Sequence, residues 1–421
     1  MSRQYFGTDG VRGVVGEEIT PELVERLGRA ATLWSGRGRI FVGRDTRASG
    51  VELEQALARG IASAGGNAVV AGVLPTPAVA LLTLDLGCVI TASHNPPEYN
   101  GVKFFDRDGQ KLTDEQEEEI EALLDQPGTG GGEIDEVGVA TDSYLEHVLE
   151  RFGSDLNGLR IGVDCANGAY SGLAPTAFEK LGASVKAIGN EPDGTNINVD
   201  CGATDLRALQ ELVREEQLDV GIAFDGDGDR MLAVDANGDV VDGDQIIAVL
   251  ALHLRVSSVT VTPMTNLGFH ELMSQRGIDV HVTEEVGDRY VLETMRATGG
   301  TLGGEQSGHV IYLDGHVTGD GLVAALLLCR ALEGRTLADA AAVLRRHPQV
   351  KENVRVRTKI LPAELLDRVA QHNEELEGRG RVLVRPSGTE PVVRVLAEAP
   401  DEAEAANLCA SIASLVRREL G

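Results

Sequence analysis

Val220-Gly221-Ile222-Ala223-Phe224-Asp225-Gly226-Asp227-Gly228-Asp229-Arg230-Met231-Leu232-Ala233-Val234 sets three carboxylates at alternate positions between two apolar runs. The runs have the length and composition of buried strands, so the acidic stretch is a loop joining two strands of a core. Three anions this close repel one another, and folding around them is costly unless a cation sits among them. Hard oxygen donors on a tight loop suit Mg²⁺, which keeps positions open for water or a phosphate oxygen. An EF-hand is excluded, because its sixth position would be Arg230 instead of Gly and its twelfth Ala236 instead of Glu.

Outward from this loop the chain alternates helix and strand. Towards the N-terminus, strands are expected at Arg39–Gly43, Ala68–Ala71, Cys88–Ala92, Arg160–Asp164 and Ser184–Ile188. Helices are expected at Pro21–Trp34, with Thr20 as N-cap, at Val51–Ala64 and at Glu115–Leu124. The glycine-rich, charged stretch Asp125–Gly138 reads as a surface loop near a boundary. Towards the C-terminus come strands near Val259–Thr262, Val280–Thr283 and Val310–Leu313, and a helix over Gly319–Leu332. Past Arg345 the pattern changes to strand Asn353–Arg357, helix Pro362–Leu376, strands Arg381–Val384 and Val392–Glu398, and helix Glu402–Leu420. The simplest reading is three consecutive α/β domains with mixed sheets (residues 1–142, 143–243 and 244–352) and a smaller C-terminal α+β domain (353–421). Parallel strands in those sheets would keep their ligand loops at the strand C-terminal ends.

Three further loops carry chemistry. Thr91-Ala92-Ser93-His94-Asn95-Pro96 follows a strand and reads either as a nucleophile loop built on Ser93 or as a turn held by Asn95-Pro96. Lys103, in Asn100-Gly101-Val102-Lys103, brings a cation close to it. No G-x-S-x-G elbow is present, which disfavours an α/β-hydrolase. Gly303-Gly304-Glu305-Gln306-Ser307-Gly308-His309 offers Glu305 and Ser307 two residues apart, an acceptor and a donor for adjacent sugar hydroxyls, or else a turn with incidental polar residues. Arg385-Pro386-Ser387-Gly388-Thr389-Glu390-Pro391, with Arg394 beyond it, combines hydroxyls, a glycine and two arginines as a phosphate cradle would. It lacks the lysine of a P-loop, so no nucleotide is implied. Arg12, in Gly7-Thr8-Asp9-Gly10-Val11-Arg12-Gly13, could meet a phosphoryl group, whereas Arg44 and Arg47 read as structural ion pairs.

Composition bounds the rest. The 421 residues are too many for one core. No apolar run is long enough to span a membrane, and the N-terminus lacks the core of a signal peptide. Five scattered cysteines, an odd count without a C-x-x-C pair, point to a reducing cytoplasm. The net charge of −28 argues against nucleic acid as a partner, while leaving room for a local basic pocket that holds an anion.

Taken together and in this order, the four loops resemble those of the α-D-phosphohexomutase superfamily, most strongly the branch acting on glucosamine phosphates. Tyr5-Phe6-Gly7-Thr8-Asp9-Gly10-Val11-Arg12-Gly13, Gln306 in Glu305-Gln306-Ser307-Gly308-His309, and Arg385 to Pro391 carry that branch's form. The phosphomannomutase/phosphoglucomutase branch, which more often has methionine at position 306, is the alternative. The resemblance covers essentially the whole chain and implies four domains around a central cleft, each supplying one loop. It implies that Ser93 carries a phosphoryl group, and that one Mg²⁺ is held by Asp225, Asp227, Asp229 and the phosphorylated Ser93. His94, Lys103, Arg12 and Arg230 would surround the transferring group. Glu305, Ser307 and His309 would bind the sugar, and Arg385, Ser387, Gly388, Thr389 and Arg394 the second phosphate. The implied partner is a small phosphosugar, with glucosamine or glucose 1,6-bisphosphate as activator. The resemblance implies no nucleic acid and no membrane, and it is compatible with a homodimer. Thr91 stands where this branch often has serine, and Leu84–Cys88 looks a few residues short.

Overall fold

The first sheet comprises β1 (Val11–Val14), β2 (Arg39–Arg44), β3 (Asn67–Val73), β4 (Leu86–Ile90), β5 (Tyr99–Phe105) and β6 (Ile134–Glu136). Its spatial order is β1-β5-β4-β2-β3-β6. β2 pairs in parallel with β3 and β4, and β5 runs antiparallel to β1 and β4. Helix Pro21–Ser35 starts where Thr20 Oγ1 accepts from Leu23 N at 3.2 Å and Pro21 supplies a pre-set φ. It packs with helix Gly50–Ser63 against the sheet, and Val24, Leu27, Ile40, Val42, Leu57 and Ile61 are almost fully buried there. Each such side chain contributes about 1.5–3 kcal/mol on removal from water.

The second sheet holds β7 (Arg160–Asp164), β8 (Ser184–Ile188), β9 (Val220–Phe224), β10 (Met231–Asp235) and β11 (Val240–Val241), in the order β11-β10-β9-β7-β8. The third holds β12 (Ser258–Val261), β13 (Asp279–Val282), β14 (Leu302–Gly304) and β15 (Val310–Tyr312), in the order β13-β12-β14-β15. The fourth, wholly antiparallel, holds β16 (Gln349–Arg355), β17 (Arg381–Pro386) and β18 (Val392–Glu398), with β18 in the middle. The computed structural model describes residues 4–7, 9–387 and 391–421. It divides into a larger unit, Met1–Pro263 with Val280–Ala342, and a smaller one, Met264–Asp279 with Val343–Gly421. In the smaller unit Val354, Val393, Val395, Ile412 and Val416 form the core between the sheet and helix Glu402–Leu420.

The three α/β layers and the α+β tail are as expected, with five local differences. First, the triple-aspartate loop is the turn of an antiparallel hairpin, β9–β10, so it caps the end of a parallel sheet by turning straight back. Second, Asn100-Gly101-Val102-Lys103, where the sequence pattern assigns no element, lies within strand β5. A Cβ at Gly101 would meet the Val11 carbonyl at 2.4 Å and the Thr91 carbonyl at 2.8 Å, so the glycine serves close backbone approach. Third, β4 ends at Ile90 instead of Ala92, because the backbone leaves the sheet to form the serine loop. Fourth, Asp125–Gly138 contains β6, which adds in parallel to β3. Fifth, Asp320 caps helix Gly321–Leu332 by accepting from Leu322 N and Val323 N, which sets its start two residues later than the apolar pattern suggests. All five cysteines are free and buried. No described helix is long and apolar enough to cross a membrane.

Candidate active site

Ser93 sits just beyond the end of β4 with φ at +50°, a left-handed conformation that serine rarely adopts. Its surroundings hold it there. Ser93 N donates to Thr91 Oγ1 at 2.8 Å, and Thr91 Oγ1 donates to Asp45 Oδ2 at 2.7 Å. The Arg47 guanidinium, fully buried, pairs with Asp45 at 2.9 Å. It also donates to the Ser93 carbonyl at 2.9 Å, Asn95 at 2.8 Å and Tyr99 at 2.9 Å, and to Pro96. Asn198 Nδ2 reaches the Ser93 and Asn95 carbonyls at 2.9 and 3.1 Å. Arg47 is thus the structural ion pair its sequence suggests, and in addition a clamp on the serine loop.

So held, Ser93 Oγ donates to Asp225 Oδ2 at 2.7 Å and lies 3.2 Å from His94 Nδ1. Asp225, Asp227 and Asp229 are buried and each offers an oxygen within 4.8 Å of the others. Asp227 Oδ1 and Asp229 Oδ1 are buried and accept no hydrogen bond among the described residues. Burial, then Asp229 and Asp227, push the Asp225 carboxyl well above the usual range. Converging hard oxygens, two of them without donors, fit a divalent cation such as Mg²⁺.

Lys103 already supplies part of the missing positive charge. Its Nζ lies 2.9 Å from Asp227, 3.1 Å from Asp9 and 3.4 Å from Asp229. Burial opposes its charge, but those carboxylates outweigh it and hold the ammonium above its ordinary pKa. Asp227 is held low against its own burial by Lys103 and by a 2.6 Å hydrogen bond from Thr76. His94 is drawn down to about 4, first by burial and then by Arg230 and Arg12. Arg12 Nε and Arg230 Nε are buried donors with no acceptor among the described residues. Two such guanidinium donors near the Ser93-His94 loop suit a phosphoryl oxyanion.

The loop carrying Glu305 abuts the aspartate loop, since Met231 N donates to the Gly308 carbonyl at 2.9 Å. Glu305 is 8 % exposed and burial raises its pKa, whereas Ser307 is exposed. His309 is buried, with Nδ1 3.8 Å from Asp229 Oδ1 and Nε2 3.2 Å from Asp288 Oδ2. In the smaller unit Arg385 and Arg394 face one another directly across the β17–β18 pair. Two guanidinium groups brought to one register position suit an anion such as a phosphate. Ser387 is buried in the same loop, while Gly388 and Thr389 lie outside the described residues.

The larger unit therefore gathers Arg12, Ser93, His94, Lys103, the three aspartates, Arg230, Glu305 and His309 into one neighbourhood, with Ser307 on the same loop as Glu305. Sequence reasoning missed Thr76, Asp9, Lys111, Asn198 and Asp288, and the clamping work of Arg47. Asp9 stood inside a quoted motif, and its carboxylate beside Arg12 was the available signal. For Asn198, Lys111 and Asp288 no local pattern distinguishes them from surface polar residues.

Four family models match consecutive parts of the chain. They describe the α/β/α domains I, II and III of phosphoglucomutase/phosphomannomutase at residues 3–129, 142–238 and 242–349, and its C-terminal domain at 337–415. A phosphoglucosamine mutase of Moorella thermoacetica is 49% identical over 97% of this chain and 98% of its own length. Among solved structures, a phosphoglucomutase/phosphomannomutase family protein of Burkholderia thailandensis superposes with a TM-score of 0.86 at 24% identity, covering 99% of this chain and 98% of its own. N-acetylphosphoglucosamine mutase of Aspergillus fumigatus, solved with GlcNAc-6P and magnesium, gives 0.68 at 17% identity over 99% of this chain and 96% of its own.

Proposed function

This chain belongs to the phosphoglucomutase/phosphomannomutase family, and we propose that it is a phosphoglucosamine mutase, interconverting glucosamine 6-phosphate and glucosamine 1-phosphate. The observation that carries the chemistry is the 2.7 Å hydrogen bond from Ser93 Oγ to Asp225 Oδ2, inside a trio of buried carboxylates. A binding module needs no nucleophile at such a centre.

In this reading Ser93 carries a phosphoryl group. Its P–Oγ bond breaks as a P–O bond forms to the free hydroxyl of the sugar monophosphate, whose proton ends on the released Ser93 Oγ, giving a 1,6-bisphosphate. The bisphosphate turns end for end, and its other phosphoryl group returns to Ser93, leaving the isomeric monophosphate. A 1,6-bisphosphate of glucosamine or glucose would prime the unphosphorylated enzyme by the same step. Asp225, Asp227 and Asp229 would hold Mg²⁺, which when bound draws charge from the transferring oxygens. Arg12 and Arg230, whose buried Nε donors have no acceptor among the described residues, would bind the group in flight, and Lys103 sets the charge of the carboxylates beside it. Arg47 and Asn198 fix the serine backbone, so little reorganisation is left for the reaction. Glu305, Ser307 and His309 bind the sugar. Arg385, Ser387, Gly388, Thr389 and Arg394 hold the phosphate that is not being transferred. Each loop is assigned to its own domain, with boundaries 1–142, 143–243, 244–352 and 353–421.

Intact-protein mass after treatment with glucose 1,6-bisphosphate tests the phosphoserine. A gain of one HPO₃ in wild type, absent in Ser93→Ala, is expected, and no gain in wild type removes the mechanism. Values of kcat/KM for the 6-phosphates of glucosamine, glucose and mannose test the substrate. A preference for mannose or glucose would select the phosphomannomutase/phosphoglucomutase alternative.

A further inference from the structure

Asp288 belongs to none of the four loops, yet it closes the charge pattern of the site. It opens helix Asp288–Thr298, where the helix dipole favours an anion. Its Oδ2 accepts from Lys111 Nζ and lies 3.2 Å from His309 Nε2. The neighbouring Arg289, 4 % exposed, anchors the start of this helix by reaching Asp114, and Glu117 at 2.7 Å. Ionisable groups then follow one another around a closed ring of side chains: Lys103, Asp9, Lys111, Asp288, His309, Asp229 and back to Lys103.

The carboxylates of this neighbourhood can be accounted for one by one. Asp225 takes Ser93 Oγ, Gly228 N and Arg230 N. Asp227 takes Thr76 and Lys103, and Asp9 takes Arg12, Lys103 and Lys111. The remaining oxygens of Asp227 and Asp229 face the cation position. Apart from these, Glu305, on the loop that reads hydroxyls, and Asp288 keep a carboxylate oxygen that accepts no hydrogen bond among the described residues; in Asp288 it is Oδ1, since Lys111 takes Oδ2. Lys111 donates to Oδ2 and His309 Nε2 stands 3.2 Å from the same atom, so the contacts of Asp288 fall on one oxygen and leave the other to a ligand. Asp288 and Glu305 are near enough to feel one another's charge, and both act on Arg230.

Glucosamine phosphates differ from glucose phosphates by an ammonium in place of the 2-hydroxyl. Taking an ammonium from water into a closed site is costly unless a carboxylate meets it. We propose that Asp288 reads the 2-ammonium group of the substrate and thereby sets the preference for an amino sugar over its 2-hydroxyl counterpart. This rests on the amino-sugar reading above.

The test measures kcat/KM for glucosamine 6-phosphate and glucose 6-phosphate on wild type, Asp288→Asn and Glu305→Gln. A charge-assisted hydrogen bond of ordinary strength predicts that Asp288→Asn lowers the glucosamine-to-glucose ratio by about ten- to a hundredfold. Glu305→Gln should lower both sugars together and keep the ratio. An Asp288→Asn enzyme that loses both activities equally overturns the proposal and leaves Asp288 as a tie between Lys111 and His309. A wild type with no preference for the amino sugar overturns the substrate reading as well, so the two failures are distinct. Wild type alone gives a second readout should the variant not fold. KM for glucosamine 6-phosphate should rise as its amine loses its proton, near pH 8 by analogy with an α-amino group at about 7.7–8.0, while KM for glucose 6-phosphate does not follow. Parallel profiles for the two sugars would refute the assignment.

Discussion

Arg47 donates from its guanidinium to the main-chain carbonyl of Ser93 at 2.9 Å, from a side chain that is fully buried. The left-handed backbone of Ser93 is therefore imposed from behind, by a residue forty-six positions earlier in the chain.

Replacing Arg47 with Met should leave Asp45 buried without its cation and several carbonyls without a donor. Loss of one partner of a buried pair costs about 3–5 kcal/mol. A large fall in the melting temperature is expected. Arg47→Lys should not restore it, because one ammonium cannot spread donors over four carbonyls. A Lys variant that melts like wild type would contradict the clamp.

Asp227→Asn should weaken Mg²⁺ binding at least tenfold in calorimetric titration, since it removes a charge from a buried donor oxygen that accepts no hydrogen bond. An unchanged dissociation constant would place the cation elsewhere.

Arg385→Ala should raise KM for the sugar phosphate by about ten- to a hundredfold, the worth of charge-assisted hydrogen bonds to a phosphate. The melting temperature should hold, because the change leaves the β17–β18 backbone pairing and the core around Val354, Val393 and Val395 in place. Normal KM in this variant would mean that the second phosphate is bound by other residues.

Gly228→Ala should destabilise the aspartate loop. Its φ is +77°, and a Cβ there would meet the Tyr170 ring at 2.3 Å. The ring cannot yield freely, because its hydroxyl bonds Asp320 at 2.8 Å and Tyr144 at 2.6 Å. Strain of about 1–2 kcal/mol from the left-handed backbone alone is expected, with the clash in addition. Stability and Mg²⁺ affinity should fall together, and an intact affinity would show that the loop absorbs the methyl group.

Asp164, at the end of β7, is raised from 3.8 to about 6, mainly by burial and against hydrogen bonds from Ala166 N and Gly202 N. Because the folded protein holds this proton more tightly than the unfolded chain, the associated stability is full below about pH 4 and is lost as pH rises through 6. Denaturation of wild type and Asp164→Asn across pH 4 to 7 should show this component of the slope in wild type only. Equal slopes would mean that Asp164 is charged at little cost.

Much of the fold was legible because its signals are local. Thr20-Pro21 marks a helix start, and the two apolar runs flanking Asp225–Arg230 mark strands, since each pattern is complete within a few residues. The chemistry was legible for the same reason: the aspartate trio and Ser93-His94 are contiguous. Strand β5 was hidden because Asn100-Gly101 carries the composition of a turn, and only the packing of β1 and the serine loop against Gly101 explains the glycine. The Lys111–Asp288 tie joins residues 177 positions apart. Such a contact leaves no periodicity to read.

Lys103 touches Asp227, Asp229 and Asp9 at once. That arrangement has a bearing on the order in which the enzyme matures. With an internal ammonium already among the acids, the hairpin can close in a newly made chain before any divalent ion arrives. Chelator should therefore silence the purified protein without unravelling it, and returning the ion should revive it in a single step.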